Sequence, residues 1–218
     1  PLKPDAVVIK SYMAERLGKP LQELGISVVH LELETPDQFF ADVQTLGQMF
    51  ANQERADEIV RFYQQRIDRL NERIADLGEE EKPRTLVIQY IDKGEGGAFS
   101  VPPTSWMQTI QVEMAGGQPV WREAAGNGWQ VVSFDQIAAW DPDKILLIVF
   151  REDPAPIMAE IEQDPTWQEL TAMEEGEVYA FPADYYGWDV PDPSWVLGME
   201  WVAKTLHPDL FSDVDIAE

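Results

Sequence analysis

The sequence predicts an α/β protein of two lobes, with mainly parallel sheets flanked by helices and one long helix between them. Two observations carry this. Short apolar runs alternate with stretches of helical period, the pattern of parallel crossover units. A buried strand that follows Pro-Asp and leads through helix and glycine to a second strand occurs twice, from Pro4-Asp5 by way of Gly25 and from Pro142-Asp143 by way of Gly176.

Val7 to Ile9 reads as the first strand, Tyr12 to Leu24 as a helix ending at the C-cap Gly25, and Ile26 to Leu33 as the second strand. Thr35-Pro36-Asp37-Gln38 is a capping box with proline at the first helical position, opening a helix that breaks at Ala51 to Glu54. The next helix runs from Gln53 to Leu77, with Ala56, Ile59, Tyr63, Ile67, Leu70, Ile74 and Leu77 spaced three and four apart. A helix of this length can act as a stiff connector between lobes. Gly78 and Glu79-Glu80-Glu81 end it.

Thr85 to Tyr90 begins a second α/β set, followed by the glycine-rich loop Gly94 to Gly97 and a helix near Thr104 to Ala115, closed by Gly116-Gly117. Ser133-Phe134-Asp135-Gln136 is a second capping box, opening a short helix to Trp140. Lys144 to Phe150 is the most apolar strand. Helices over Pro156 to Glu162 and Pro165 to Met173, a strand at Val178 to Phe181, a loop rich in Pro, Asp and aromatics, and a helix from Pro193 to Leu206 complete the chain.

Composition narrows function. Hydrophobic residues make up 44% of the 218 residues and aromatics 11%, which is enough to build cores despite the charge. Forty acidic residues against 16 basic ones give a formal charge of -24, and nucleic acid binding needs the opposite sign. With no cysteine and only His30 and His207, thiol chemistry, zinc fingers and iron–sulfur clusters are excluded. Both histidines read as structural, His207 as a cation complementing a helix end. No Gly-x-Ser-x-Gly, phosphate loop or dinucleotide fingerprint is present, so no catalytic residue and no resident cofactor or metal is assigned. An α/β enzyme or metal-chelatase-like domain is the alternative reading.

Aromatic placement is more informative. Tyr90, Phe99, Trp106, Trp129, Tyr185, Tyr186 and Trp188 fall in loops or at strand ends, and ligands of open α/β sheets bind beyond the carboxyl ends of strands. Such residues suit a large, flat or greasy ligand. Lys93, Arg122 and Arg151 lie in or near the same loops and can neutralise an anionic chelate.

An ordered series of short motifs spans nearly the whole chain: Pro4-Asp5-Ala6-Val7-Val8, Leu24-Gly25-Ile26-Ser27-Val28-Val29, Leu46-Gly47 with Glu54-Arg55-Ala56, Ala115-Gly116-Gly117, Val132 to Gln136, Asp141-Pro142-Asp143, and Leu206 to Phe211. The series resembles the periplasmic binding proteins of ABC importers for ferric siderophores, haem and cobalamin. That resemblance implies an extracytoplasmic protein, in the periplasm or as a cell-surface lipoprotein, holding a ferric chelate, haem or corrinoid between two lobes joined by a rigid helix. It implies ABC permease subunits as partners.

In a cobalamin-binding member a tryptophan precedes, by six residues, an acidic residue that docks on the permease. Trp129 and Asp135 keep that spacing, with Asp135 where glutamate is usual. The resemblance also divides the chain into 1–52, the remainder of an incomplete N-terminal lobe, 53–81, the connecting helix, and 82–218, a C-terminal lobe whose last helix can pack back on the first. Pro1 to Asp5 running into a strand with neither Met nor leader reads as a cut, and an incomplete first lobe would expose apolar surface and favour self-association.

Overall fold

The structure, a computed structural model, describes residues 3–92, 97–182 and 187–216. The chain forms two compact units, residues 1–62 and 63–218.

In the first unit β1 (Ala6–Lys10) pairs in parallel with β2 (Ser27–Leu31), Ala6 opposite Ser27 and Lys10 opposite Leu31. The stretch expected to be one helix from Tyr12 is wound less regularly over residues 11–18, and regular α1 is confined to Lys19–Glu23. Gly18 fits closely beside His30, since a Cβ there would stand 3.1 Å from the His30 ring. Gly25 ends the turn at φ +77°, as its place in the sequence predicts.

α2 (Pro36–Met49) opens with Thr35 Oγ1 accepting from the Gln38 amide at 3.2 Å, but only half of the expected capping box forms, because the buried Gln38 Oε1 has no partner. α3 (Gln53–Ile74) follows after Ala51, which takes φ +51°. α2 and α3 cross where Gly47 faces Ala56. A Cβ on Gly47 would lie 2.5 Å from that of Ala56, which explains why Leu46-Gly47 and Ala56 occur together.

α3 begins in the first unit and ends in the second. The second unit is built on a sheet of β3 (Arg84–Ile91), β4 (Ala98–Val101), β5 (Gln118–Pro119), β6 (Gln130–Val132), β7 (Lys144–Ile148) and β8 (Val178–Ala180), in the order β6-β4-β3-β7-β8, with β5 also on β3. β3, β5, β7 and β8 run parallel, β4 runs antiparallel to β3, and β6 pairs antiparallel with β4 and so runs in the direction of β3. Leu86, Val87, Ile88, Ile145, Leu146 and Leu147 are fully buried, as expected of parallel strands covered on both faces. α4 (Met107–Met114), α5 (Phe134–Trp140), α6 (Ala155–Gln163), α7 (Thr171–Glu174) and α8 (Trp195–Leu206) surround the sheet.

Three expectations are corrected here. The glycine-rich loop does not lead directly to a helix, because β4 returns antiparallel on β3 first. The helix expected over Pro165 to Met173 is broken at Leu170, which is extended, leaving a short turn and α7. His207 does not complement the helix end as a cation: it is 8% exposed and burial pushes its imidazole below the ordinary value, and it ends α8 through its backbone amide, which donates to the Ala203 carbonyl.

The remaining motifs are fittings of this scaffold. Ser133 and Gln136 form the full reciprocal capping box. Asp141 takes φ +38° and its carboxylate accepts from the amide and hydroxyl of Thr171, while Asp143 accepts from the Arg84 amide. Gly116 at φ +78° sits 3.2 Å, by its would-be Cβ, from the His207 ring.

Candidate functional site

The register of the second sheet aligns three residues that are far apart in sequence. Tyr90 stands opposite Phe99 and Phe99 opposite Val132, so the three side chains share one face of β3, β4 and β6. Phe99, expected in a loop or at a strand end, lies within the short β4. Its ring meets Tyr90 edge-on at 5.8 Å and Trp167 at 4.9 Å, and Trp167 meets Phe134 at 5.3 Å. Gly97 is required beside them, because a Cβ there would lie 2.0 Å from the Tyr90 ring.

These rings wall a cavity of 420 Å³, completed by Ile157, Ile161, Ser133, Glu160 and Asp164. That volume lies within the range of small-molecule pockets. Burial, aided by the charges of Asp92, Glu160 and Glu152, pushes the Tyr90 hydroxyl above its usual value, so it remains a donor. Asp164 accepts from the Thr166 amide and is held below the ordinary carboxylate range, so it stays charged.

A second aromatic pair forms further along. Trp106, at the start of α4, meets Trp129, just before β6, edge-on at 6.0 Å. Trp188 is half-buried, and its loop is pinned to two helices: Gln111 donates from Nε2 to the carbonyls of Trp188 (2.9 Å) and Trp195 (2.8 Å). Gly198 permits this approach, since a Cβ would stand 2.1 Å from the Trp188 carbonyl.

Beneath the loop Asp189 is 5% exposed and accepts from Gln108 Nε2 at 3.2 Å, while Gln108 Oε1 is buried without a partner. Burial pushes the Asp189 carboxyl upward. A raised folded pKa means that stability is full below the unfolded carboxyl value and is lost as pH rises through the folded one. Asp189→Asn removes the buried charge and, with the Gln108 amide rotated, donates to the orphan Oε1. The variant is expected to be more stable by about 1 kcal/mol at pH 7, the worth of a typical hydrogen bond, and to lose that advantage towards pH 4 in urea titrations.

Of the other sequence-predicted residues, Arg151 is exposed at φ +61° with its guanidinium 4.8 Å from the Phe150 ring, and Arg122 pairs with Glu113. Asp135 is exposed in the first turn of α5. Lys93, Tyr185 and Tyr186 lie outside the described residues. Phe134, Trp167, Ile157, Ile161, Glu160 and Asp164 were not singled out by the sequence; the i, i+4 spacing of Ile157 and Ile161 is the one signal that a face of α6 is buried. Among the described residues no group of three metal-ligating side chains is assembled and no helix is long and apolar enough to cross a membrane.

Residues 1–185 match the family model described as periplasmic binding protein. The chain belongs to the periplasmic binding protein family. As a periplasmic binding protein it is 25% identical over 237 residues to the molybdate-binding protein MolA of Haemophilus influenzae, covering 99% of this chain and 64% of that one. It is 27% identical over 185 residues to the achromobactin-binding periplasmic protein of Dickeya dadantii, covering 82% and 58%. The crystal structure of a periplasmic solute binding protein from Veillonella parvula superposes with a TM-score of 0.76 at 27% identity, over 99% of this chain and 63% of that one. The chain thus spans less than two thirds of the length of each of these relatives. The family accounts for the α/β architecture with a mainly parallel sheet that the sequence predicts.

Proposed function

We propose that this periplasmic binding protein is the solute-binding component of an ABC importer, capturing a ferric chelate (a siderophore or haem) or a corrinoid and delivering it to permease subunits. The observation that carries the reading is the pair of aromatic contacts, Tyr90 with Phe99 on adjacent strands and Trp106 with Trp129 between the start of α4 and the loop before β6, gathered from separate segments of the second unit. Flat rings of this kind offer contact area to a large chelate at small entropic cost. The name of the Dickeya relative supports the siderophore class, and that of MolA brings in an oxyanion as a further candidate. Ferric chelate ranks first, corrinoid second and oxyanion third, because an oxyanion gains nothing from ring faces. Tyr185, Tyr186, Trp188, Lys93 and Arg151 complete the proposed ligand surface. Asp135, exposed and charged, is the proposed contact for a cationic permease side chain.

Tryptophan fluorescence of the protein expressed from its complete reading frame tests this. Titration with a ferric siderophore, haem, cobalamin and molybdate is expected to give saturating one-to-one quenching with one of the first three. Trp129→Ala should weaken that binding by about tenfold, as loss of one stacked ring costs 1–3 kcal/mol. No response to any of the four, or a response to molybdate alone, would overturn the reading.

A further inference from the structure

The 420 Å³ cavity beside β4 has a chemistry of its own. Its walls are four aromatic rings, those of Tyr90, Phe99, Phe134 and Trp167, which meet edge-to-face at interplanar angles of 64° to 66°. Edge-to-face packing turns the electron-rich face of one ring towards the edge of the next and leaves other faces free to meet a guest. Its charged lining residues, among those described, are both acidic: Glu160 on α6 and Asp164 just after it. Asp164 is fixed in place by the Thr166 amide. Glu160 is exposed, and its charge and those of Asp92 and Glu152 act on the same Tyr90 hydroxyl.

An anion entering here meets repulsion from several carboxylates, and a neutral apolar guest leaves their field unanswered. A cation with an apolar body answers both, by ring faces that attract positive charge and by carboxylates that pair with it. We propose that this cavity binds a small organic cation, an alkyl- or arylammonium group seated among Tyr90, Phe99, Phe134 and Trp167 with its charge towards Glu160 and Asp164. The site shares Tyr90 and Phe99 with the surface proposed for the imported solute, and the titrations below distinguish the two readings. Trp167, 5% exposed and part of the wall, reports its occupancy.

The test is a fluorescence titration of the chain with benzyltrimethylammonium, benzyl alcohol and benzoate, which share a ring and differ in charge. The ammonium is expected to saturate at one equivalent and to bind at least about tenfold more tightly than the alcohol, the scale of a partly desolvated cation–π contact joined to an ion pair. Benzoate should not saturate. Raising salt to about 1 M, where the screening length falls to about 3 Å, should weaken the ammonium several-fold and leave the alcohol unchanged. Glu160→Gln, at an exposed position, should reproduce the salt effect without loss of fold, and Phe99→Leu should weaken ammonium and alcohol together. Benzoate binding as tightly as the ammonium, or ammonium binding insensitive to both salt and Glu160→Gln, would overturn the assignment. If the ammonium binds as stated while none of the four importer solutes does, this site stands and the solute reading falls. If a solute binds and the ammonium does not, the reverse holds.

Discussion

Arg66→Ala is expected to cost about 3–5 kcal/mol of unfolding free energy, because it strands a buried carboxylate. Arg66, on the second half of α3, reaches Glu200 on α8 at 2.5 Å and 2.7 Å, and the two side chains are only 13% and 12% exposed. The cost comes from the charge left behind and not from the net worth of the pair. Replacing both partners, Arg66→Met with Glu200→Leu, should therefore restore most of the stability. Neighbouring contacts hold the same junction: the Tyr63 hydroxyl donates to the Pro193 carbonyl at 2.6 Å, its own pKa pushed up to about 12 by burial and by Asp192, and Arg73 pairs bidentately with Asp213. Urea unfolding followed by near-ultraviolet circular dichroism compares single and double variants. Equal loss in both would mean that packing, and not the stranded charge, sets the cost.

Trp121→Ala should be comparably damaging, at about 3–5 kcal/mol, the range for deleting a buried large aromatic side chain. Trp121 is fully buried, and its Nε1 donates to the Pro102 carbonyl at 2.9 Å. That bond fixes the turn between β4 and α4, the turn from which Trp106 extends towards Trp129. Trp121→Phe keeps most of the volume and orphans the carbonyl, so a smaller loss of about 1–3 kcal/mol is expected. Thermal or urea denaturation separates the two terms. If the phenylalanine variant is as unstable as the alanine variant, the hydrogen bond outweighs the packing.

The parts of the fold that sequence reveals are those written in local chemistry. β3 and β7 are continuous apolar runs because both faces are covered, and such runs are visible without a partner. Gly25, Gly116 and Gly176 mark positive φ, and Ser133 with Gln136 closes a capping box, so each is specified within a few residues. What stayed hidden is set by pairing. β4 and β6 have four and three residues, too few to show a period, and they exist because β3 offers an edge to β4 and β4 in turn offers one to β6. Tyr90 and Phe99 were each legible as aromatics in loops or at strand ends, but their adjacency is a matter of register. Trp167 was read as part of a helix that breaks at Leu170, so its role in the wall could not be seen. Asp189, one of many carboxylates in so acidic a chain, gave no sign that it would lie only 5% exposed.

The most direct test of the central claim is calorimetric titration of the protein from its complete reading frame with a ferric siderophore, haem, cobalamin and molybdate in separate runs. Saturable one-to-one heat with a ferric chelate or a corrinoid, and none with molybdate, is the predicted result. Heat with molybdate alone, or with none of the four, would contradict it.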